Sequence, residues 1–338
     1  MLKNYLLSVL VFIVSTGPAF SQDSLIFEND NVVNGEIKSM DRGVLTIETD
    51  YSDSDFAIEW SGVKEIFTKT HFLITLENGD RVTGSLASAD SVHVVIQGDD
   101  GQSYQHLLEE LVTMKSLSNK FWDQVRASIS AGYSLTRAQM LQQFSMRSNA
   151  SYLAERWSLA ASYNSVDSRQ DDVEDIQRND AAVTFYYFLP KDWYVPASAT
   201  FLSNTEQKID LRLLGKLGIG KYVIHTNVAY WGFSAGANVN YENYDDEVDG
   251  RTSWEAFIGS ELNLFDIGDL SLVTRAVAYP SLTESGRIRA DFSLDVKYDL
   301  PYDFYIQLGY TLNYDNGAVE GTPEGDYVFQ TTFGWSWN

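Results

Sequence analysis

Four histidines are the side chains of this 338-residue chain that titrate near neutral pH, and the chain has no cysteine. The missing cysteines remove a thiolate nucleophile, a thiolate metal site and any disulfide framework. His71, His93 and His106 are scattered over the first third, and none has a second histidine at ligand spacing. Exposed strand or loop positions are the expected reading for all three. His225 stands alone in the last two-thirds. A Ser–His–Asn arrangement around it is the one nucleophilic chemistry available, and no Gly-x-Ser-x-Gly elbow marks its serine. The sequence therefore predicts no catalytic residue, no metal ligand and no cofactor.

Carboxylates cluster twice, at Asp167, Asp171, Asp172, Glu174 and Asp175, and at Asp245, Asp246, Glu247 and Asp249. Such density could hold Ca²⁺, a hard cation that takes several oxygen ligands. The twelve-residue calcium-loop pattern is absent, so solvated, mutually repelling loops are expected. A third set is more telling. Arg126, Arg147, Glu255, Glu261, Arg275, Arg287, Arg289, Asp291, Asp295 and Lys297 sit at polar positions of strictly alternating segments. Charges so spaced share one face of a sheet, where they either line a narrow aqueous pore or pair with each other and fill it.

The elements that carry these residues follow from composition and period. A net charge of −23 argues against a nucleic-acid partner, while 20 Tyr, 18 Phe and 8 Trp are far too many for a disordered acidic chain. Residues 1–21 read as a secretory signal: Lys3, an apolar run from Leu6 to Val14, and Ala19-Phe20-Ser21 as a small-x-small cleavage site. Mean hydropathy is slightly negative, so no helical membrane span is expected after that leader.

Residues 22–115 contain a repeat. Phe27-Glu28-Asn29 and Asn34-Gly35-Glu36-Ile37 align with Leu76-Glu77-Asn78 and Thr83-Gly84-Ser85-Leu86 at an offset of 49. Trp60, Val63 and Ile66 align with Leu108, Leu111 and Met114 at 48. Each copy reads as short strands with turns at Gly35 and Gly84, and Asn78-Gly79 is a strong hairpin signal. Either two small SH3-like or Sm-like barrels in tandem, packed on each other, or one fused sheet fits this pattern. Ser116 to Lys120 is the expected linker.

From residue 121 to 338 the period is two. Ile288, Ala290, Phe292, Leu294, Val296, Tyr298 and Leu300 alternate with Arg287, Arg289, Asp291, Ser293, Asp295, Lys297 and Asp299. Such runs are longer than the five or six residues of an ordinary strand and match the roughly nine to eleven that a tilted strand needs to cross a bilayer. About twelve segments are expected, beginning near Gln124, Gln143, Trp157, Asn179, Trp193, Asp210, Val228, Trp254, Leu270, Arg287, Phe304 and Tyr327. Long polar connections (165–178, 242–253, 315–326) alternate with short ones (190–192, 266–269, 299–303), the asymmetry of external loops and periplasmic turns. Backbone groups in hydrocarbon must pair internally, so the sheet is expected to close. The last strand sets Tyr327, Phe329, Phe333, Trp335 and Trp337 on one face.

Gly132-Tyr133-Ser134-Leu135-Thr136, Ala161-Ser162-Tyr163-Asn164-Ser165, Phe201-Leu202-Ser203-Asn204-Thr205-Glu206, Glu261-Leu262-Asn263-Leu264-Phe265 and Tyr310-Thr311-Leu312-Asn313-Tyr314 resemble the salt-induced outer-membrane protein family, catalogued as domain of unknown function 481. Asn78-Gly79-Asp80-Arg81-Val82-Thr83-Gly84 looks like the small β domain that precedes many such barrels. The resemblance implies a bacterial outer-membrane location and carries no activity or functional residues.

The expected protein is all-β: a signal peptide, a periplasmic β domain and a transmembrane antiparallel barrel of about twelve strands. It acts without catalysis, as a narrow channel or an envelope-stability protein. Its expected partners are outer-membrane lipids, the barrel-insertion machinery reading the C-terminal strand, and a periplasmic protein or peptidoglycan. The alternative is a lipid-acting barrel enzyme using His225, although that residue lies near a periplasmic turn, away from the outer leaflet.

Overall fold

The computed structural model describes residues 22–116, 124–136, 141–170, 174–205, 209–244, 250–317 and 324–335. Among these the chain is all-β, with two single-turn 3₁₀ helices and no α-helix. The leader and all of the expected linker except Ser116 lie outside the described residues.

The first ten strands are β1 (Asp23–Phe27), β2 (Val32–Asp41), β3 (Val44–Glu48), β4 (Phe56–Glu59), β5 (Val63–Phe67), β6 (Phe72–Leu76), β7 (Arg81–Ser88), β8 (His93–Gly98), β9 (Ser103–Leu107) and β10 (Leu111–Ser116). Six of them pair in the cycle β1–β5–β7–β6–β10–β2–β1, a closed barrel. Strands β3–β4 extend from β2, and β8–β9 from β7. Each repeat thus supplies three staves and one two-stranded wing. The repeats interlock, because β5 pairs with β7 of the second copy and β10 with β2 of the first. The tandem-barrel expectation gives way to its fused alternative. A unit of under 50 residues buries too little surface to close by itself, and sharing staves gives both copies one interior. That interior holds Leu25, Ile37, Leu45, Ile47, Trp60, Val63 and Ile66 from the first copy. Their sequence equivalents Ile74, Leu86, Val94, Ile96, Leu108, Leu111 and Met114 meet them there.

Gly35 and Gly84 correct the expectation of turns. Both lie inside strands, β2 and β7. A Cβ on Gly35 would stand 2.2 Å from the Glu48 carbonyl oxygen, and one on Gly84 2.2 Å from that of Gln97. These are close backbone approaches where strands bend around a small barrel. The Asn78-Gly79 turn is as expected: Gly79 has φ +80° and the Asp80 N–H donates to Asn78 Oδ1 at 2.9 Å.

The remaining strands form one twelve-stranded antiparallel sheet in sequence order. They are β11 (Val125–Thr136), β12 (Leu141–Leu153), β13 (Trp157–Arg169), β14 (Ile176–Phe188), β15 (Trp193–Asn204), β16 (Ile209–His225), β17 (Ala229–Tyr244), β18 (Arg251–Ile267), β19 (Leu270–Pro280), β20 (Ile288–Leu300), β21 (Phe304–Asp315) and β22 (Gly325–Trp335). Each begins within three residues of its expected start. Two of the short connections are tight because consecutive residues take left-handed φ: Lys191 and Asp192 (both 61°), and Tyr302 and Asp303 (66° and 63°).

The outward face is apolar. Ile129, Leu159, Val183, Leu217, Ile258 and Leu308 are all exposed, a larger apolar surface than a water-soluble domain leaves uncovered. Aromatic side chains band this face at both ends. Trp157, Tyr187, Trp193, Trp231, Phe304 and Trp335 lie toward the short turns; Tyr133, Phe144, Trp254 and Tyr327 lie toward the long loops. Closure differs from expectation. Among the described residues β11 and β22 are each bonded on one side only, and no ladder joins them.

Candidate functional site

All ten charged positions singled out by alternation fall on the inner face of the large sheet. The ladders fix this: Glu261 stands opposite Arg275, Arg289 opposite Tyr279, and Asp295 opposite Gly309. Period-2 side chains on strands in register cannot do otherwise.

Toward the long-loop end these charges pair across the concave wall. Glu255 is 2% exposed. Its carboxylate accepts from Arg289 Nε and Nη2 at 2.7 and 2.5 Å and from Asn238 Nδ2 at 2.8 Å. Arg287 donates to both oxygens of Asp315, at 3.0 and 2.6 Å, and to Glu284 at 2.8 Å; Arg251 joins Glu284 from the other side. Arg212 meets Glu242 at 2.7 Å. Glu284 lies in the loop after β19. Burial works against its ionised form, and the bonds from Arg251 and Arg287 outweigh it, holding the carboxyl below its ordinary pKa. The network surrounds a cavity of about 610 Å³ reached by strands from β14 to β20, so the sheet curls far enough for these strands to share one interior.

Further in, Lys216 Nζ stands 4.0 Å from the centre of the Phe257 ring, with Tyr279 beside it. The ring lies over Gly218 and Gly236, where side chains would collide with it. This pair separates the upper cavity from a second of about 260 Å³ that includes Glu261, Arg275 and Tyr186 in its walls. The other flank is built differently. Along β11–β14 the inner wall carries Ser128, Asn149, Ser151, Ala160, Ser162 and Thr184 around a space of about 330 Å³ entered by Arg126. Arg147 donates to Asn164 at 3.2 Å, which donates to Asp180 at 2.7 Å. Lys297 pairs with Asp299 at 2.8 Å. Asp291 faces Asn313 in register.

At the short-turn end a cluster of aromatic rings meets the small barrel. His225 Nδ1 is hydrogen-bonded to Asp192 Oδ1 at 2.5 Å, and its ring stacks on Tyr222 and meets Tyr230 edge-on. Tyr194 leans on Tyr222 from the next strand. The Tyr230 hydroxyl donates to Asp41 of the small barrel at 3.3 Å, and Arg42 lies over Phe265. Gly79, at the tip of the β6–β7 hairpin, touches Asp192 so closely that a Cβ there would stand 2.2 Å from its backbone nitrogen. The small barrel therefore sits against the turns at the ends of β14, β16 and β18.

The other sequence candidates stay apart. His71 bonds Asp99 (2.5 Å), His93 bonds Asp90 (3.0 Å) and His106 bonds Glu110 (3.2 Å), each separately. Among the described residues His225 bonds Asp192, and no hydrogen bond joins it to a serine. Asp167 and Asp175 flank Arg169 at 2.9 and 3.7 Å; Asp171, Asp172, Asp245, Asp246, Glu247, Asp249 and Trp337 lie outside the described residues. No cluster of three metal-ligating side chains forms among the described residues. Sequence reading missed Asn238, the Lys216–Phe257 pair and the tyrosine cluster. Only the last had a signal, since Tyr186, Tyr194, Tyr222 and Tyr230 sit at inward parity next to short turns.

Comparison with curated proteins found no match. A family model described as "Protein of unknown function, DUF481" matches residues 129–337, nearly the whole twelve-stranded sheet. The chain belongs to that family.

Proposed function

We propose that this is a non-enzymatic outer-membrane protein, a β-barrel with a polar, very narrow interior whose periplasmic mouth is partly covered by its own small barrel. It is the kind of envelope protein that the resemblance to salt-induced outer-membrane proteins implies. One observation carries the reading: twelve consecutive strands put exposed apolar side chains on one face and paired charges on the other. Only a bilayer outside and water or ion pairs inside satisfy both. The unpaired edges of β11 and β22 could not persist in hydrocarbon, so in a membrane they join. The leader exports the chain, the aromatic outward row of β22 is read by the insertion machinery, and the small barrel stands in the periplasm within reach of a protein or peptidoglycan.

The mature protein, refolded in detergent, is tested by gel mobility before and after boiling and by conductance in planar bilayers. A heat-dependent mobility shift and small, discrete conductance steps are expected. A protein that stays dissolved without detergent and shows no mobility shift overturns the membrane reading. Large steps, like those of a wide-open pore, overturn the narrow interior.

A further inference from the structure

The rings that meet the small barrel belong to the inner face of the large sheet. Tyr230 shares the inward parity of Glu261 across the β17–β18 ladder, and Phe188 that of Thr184 along β14. The Tyr230 hydroxyl donates to Asp41 at 3.3 Å, and the Arg81 guanidinium lies 4.1 Å from the centre of the Phe188 ring. Phe265 packs edge-on against Tyr230 at 4.9 Å, and Arg42 lies 5.3 Å from its centre. Gly79 abuts Asp192, and a Cβ on Gly43 would stand 3.2 Å from the Asn227 carbonyl oxygen. Arg156 shares the walls of a crevice with Arg81 and Tyr104. Four of the five connections at the short-turn end, those after β12, β14, β16 and β18, thus face the small barrel. Tyr222 and Tyr194 stand next inward, and Tyr194 lines the lower cavity.

The joint is not packed like a core. No side chain of the large sheet enters the small barrel's apolar cluster, and two crevices of about 470 and 350 Å³ run along the contact. Cation–π pairs and a single hydroxyl bond are individually weak. Domains of one chain joined by so small and polar a contact are free to separate. We propose that the small barrel is a displaceable stopper. Docked, it covers the periplasmic mouth beneath the tyrosines; lifted, it opens the way to the lower cavity. The two positions form a two-state element, and conductance follows the population of the lifted state. The inference rests on the channel reading above and adds its regulation.

The chain has no cysteine, so introduced thiols are the only ones. The full mature protein carrying Gly43→Cys and Asn227→Cys is bridged across the joint with a short bifunctional methanethiosulfonate, and reductant removes the bridge. Single-channel recording before and after reduction is expected to show a larger conductance level that is absent while bridged and appears on release. That level stays small, since Lys216 and Phe257 still narrow the path. Asp41→Ala with Arg42→Ala loosens the joint without thiols and should raise the occupancy of the larger level roughly tenfold, with the heat-mobility shift confirming a folded large barrel. Equal conductance bridged and released, or unchanged occupancy in the double variant, overturns the proposal. A protein that passes no ions in any state removes the channel reading, and the stopper is then read without current. Ser234 lines the lower cavity. Labelling of Ser234→Cys by a membrane-impermeant maleimide should quicken roughly tenfold when the joint is loosened by the same two alanines. An equal labelling rate overturns the stopper by itself.

Discussion

At the scale of single residues, Glu255 is the side chain with most at stake. It is almost wholly buried, and its charge is tolerated because Arg289 and Asn238 occupy its oxygens. Removing one partner of such a pair leaves a charge uncompensated, at about 3–5 kcal/mol, and the low end applies because the Arg289 side chain is 32% exposed. Glu255→Ala is expected to lower the denaturant midpoint in detergent, read by tryptophan fluorescence. The double variant Glu255→Met/Arg289→Met should recover most of the loss, since no lone charge then remains. Asp90, in the small barrel, works through pH. Backbone N–H bonds from Val92 and His93, and the His93 side chain, hold its carboxyl below the usual carboxylate value of 3.8. A folded pKa below the unfolded one contributes stability above the unfolded value and loses it as pH falls through the folded value. Asp90→Ala should therefore destabilise the protein at neutral pH, and the gap from wild type should narrow in thermal scans as pH drops below about 3.8.

At the scale of elements, the repeat dictates a pair of matched predictions. Gly35 and Gly84 occupy equivalent places, each beneath a neighbouring strand's carbonyl at a distance no Cβ tolerates. Alanine at either must push backbone apart and is expected to cost about 1–3 kcal/mol, with similar effects at both sites, by thermal denaturation. Unequal effects would mean that the two halves of the small barrel are not mechanically alike. Gly79 adds a different constraint. Its φ of +80° serves the hairpin, and its bare Cα admits Asp192 of the large sheet. Gly79→Ala should leave the mobility shift of the large barrel intact while the small barrel lifts from the turns, detected as faster proteolysis between residues 116 and 124.

At the scale of the whole molecule, the interior is uneven. One flank, β11–β14, carries small polar side chains, and the other, β14–β20, carries paired charges with Lys216 and Phe257 set between two cavities. Phe257→Ala with Lys216→Ala is expected to merge the cavities and enlarge the conductance step in planar bilayers. An unchanged step would show that ions pass by the β11–β14 flank.

The sequence by itself determined the elements. Alternation located twelve strands, because a period of two forces side chains to opposite faces, and the same rule put Arg126 through Lys297 on a common wall before any contact was known. The internal repeat matched Trp60 with Leu108 and Val63 with Leu111, and left to the structure whether the copies close separately or around one core. Tertiary structure decided what spacing cannot carry. Gly35 read as a turn because glycine has several uses, and only the Glu48 carbonyl above it selects close approach. Glu255 finds Arg289 34 residues away across an intervening strand, and His225 finds Asp192 rather than a serine. Periodicity is a local property and is written in neighbouring residues; partnership depends on register, curvature and docking, which exist only once the strands are assembled.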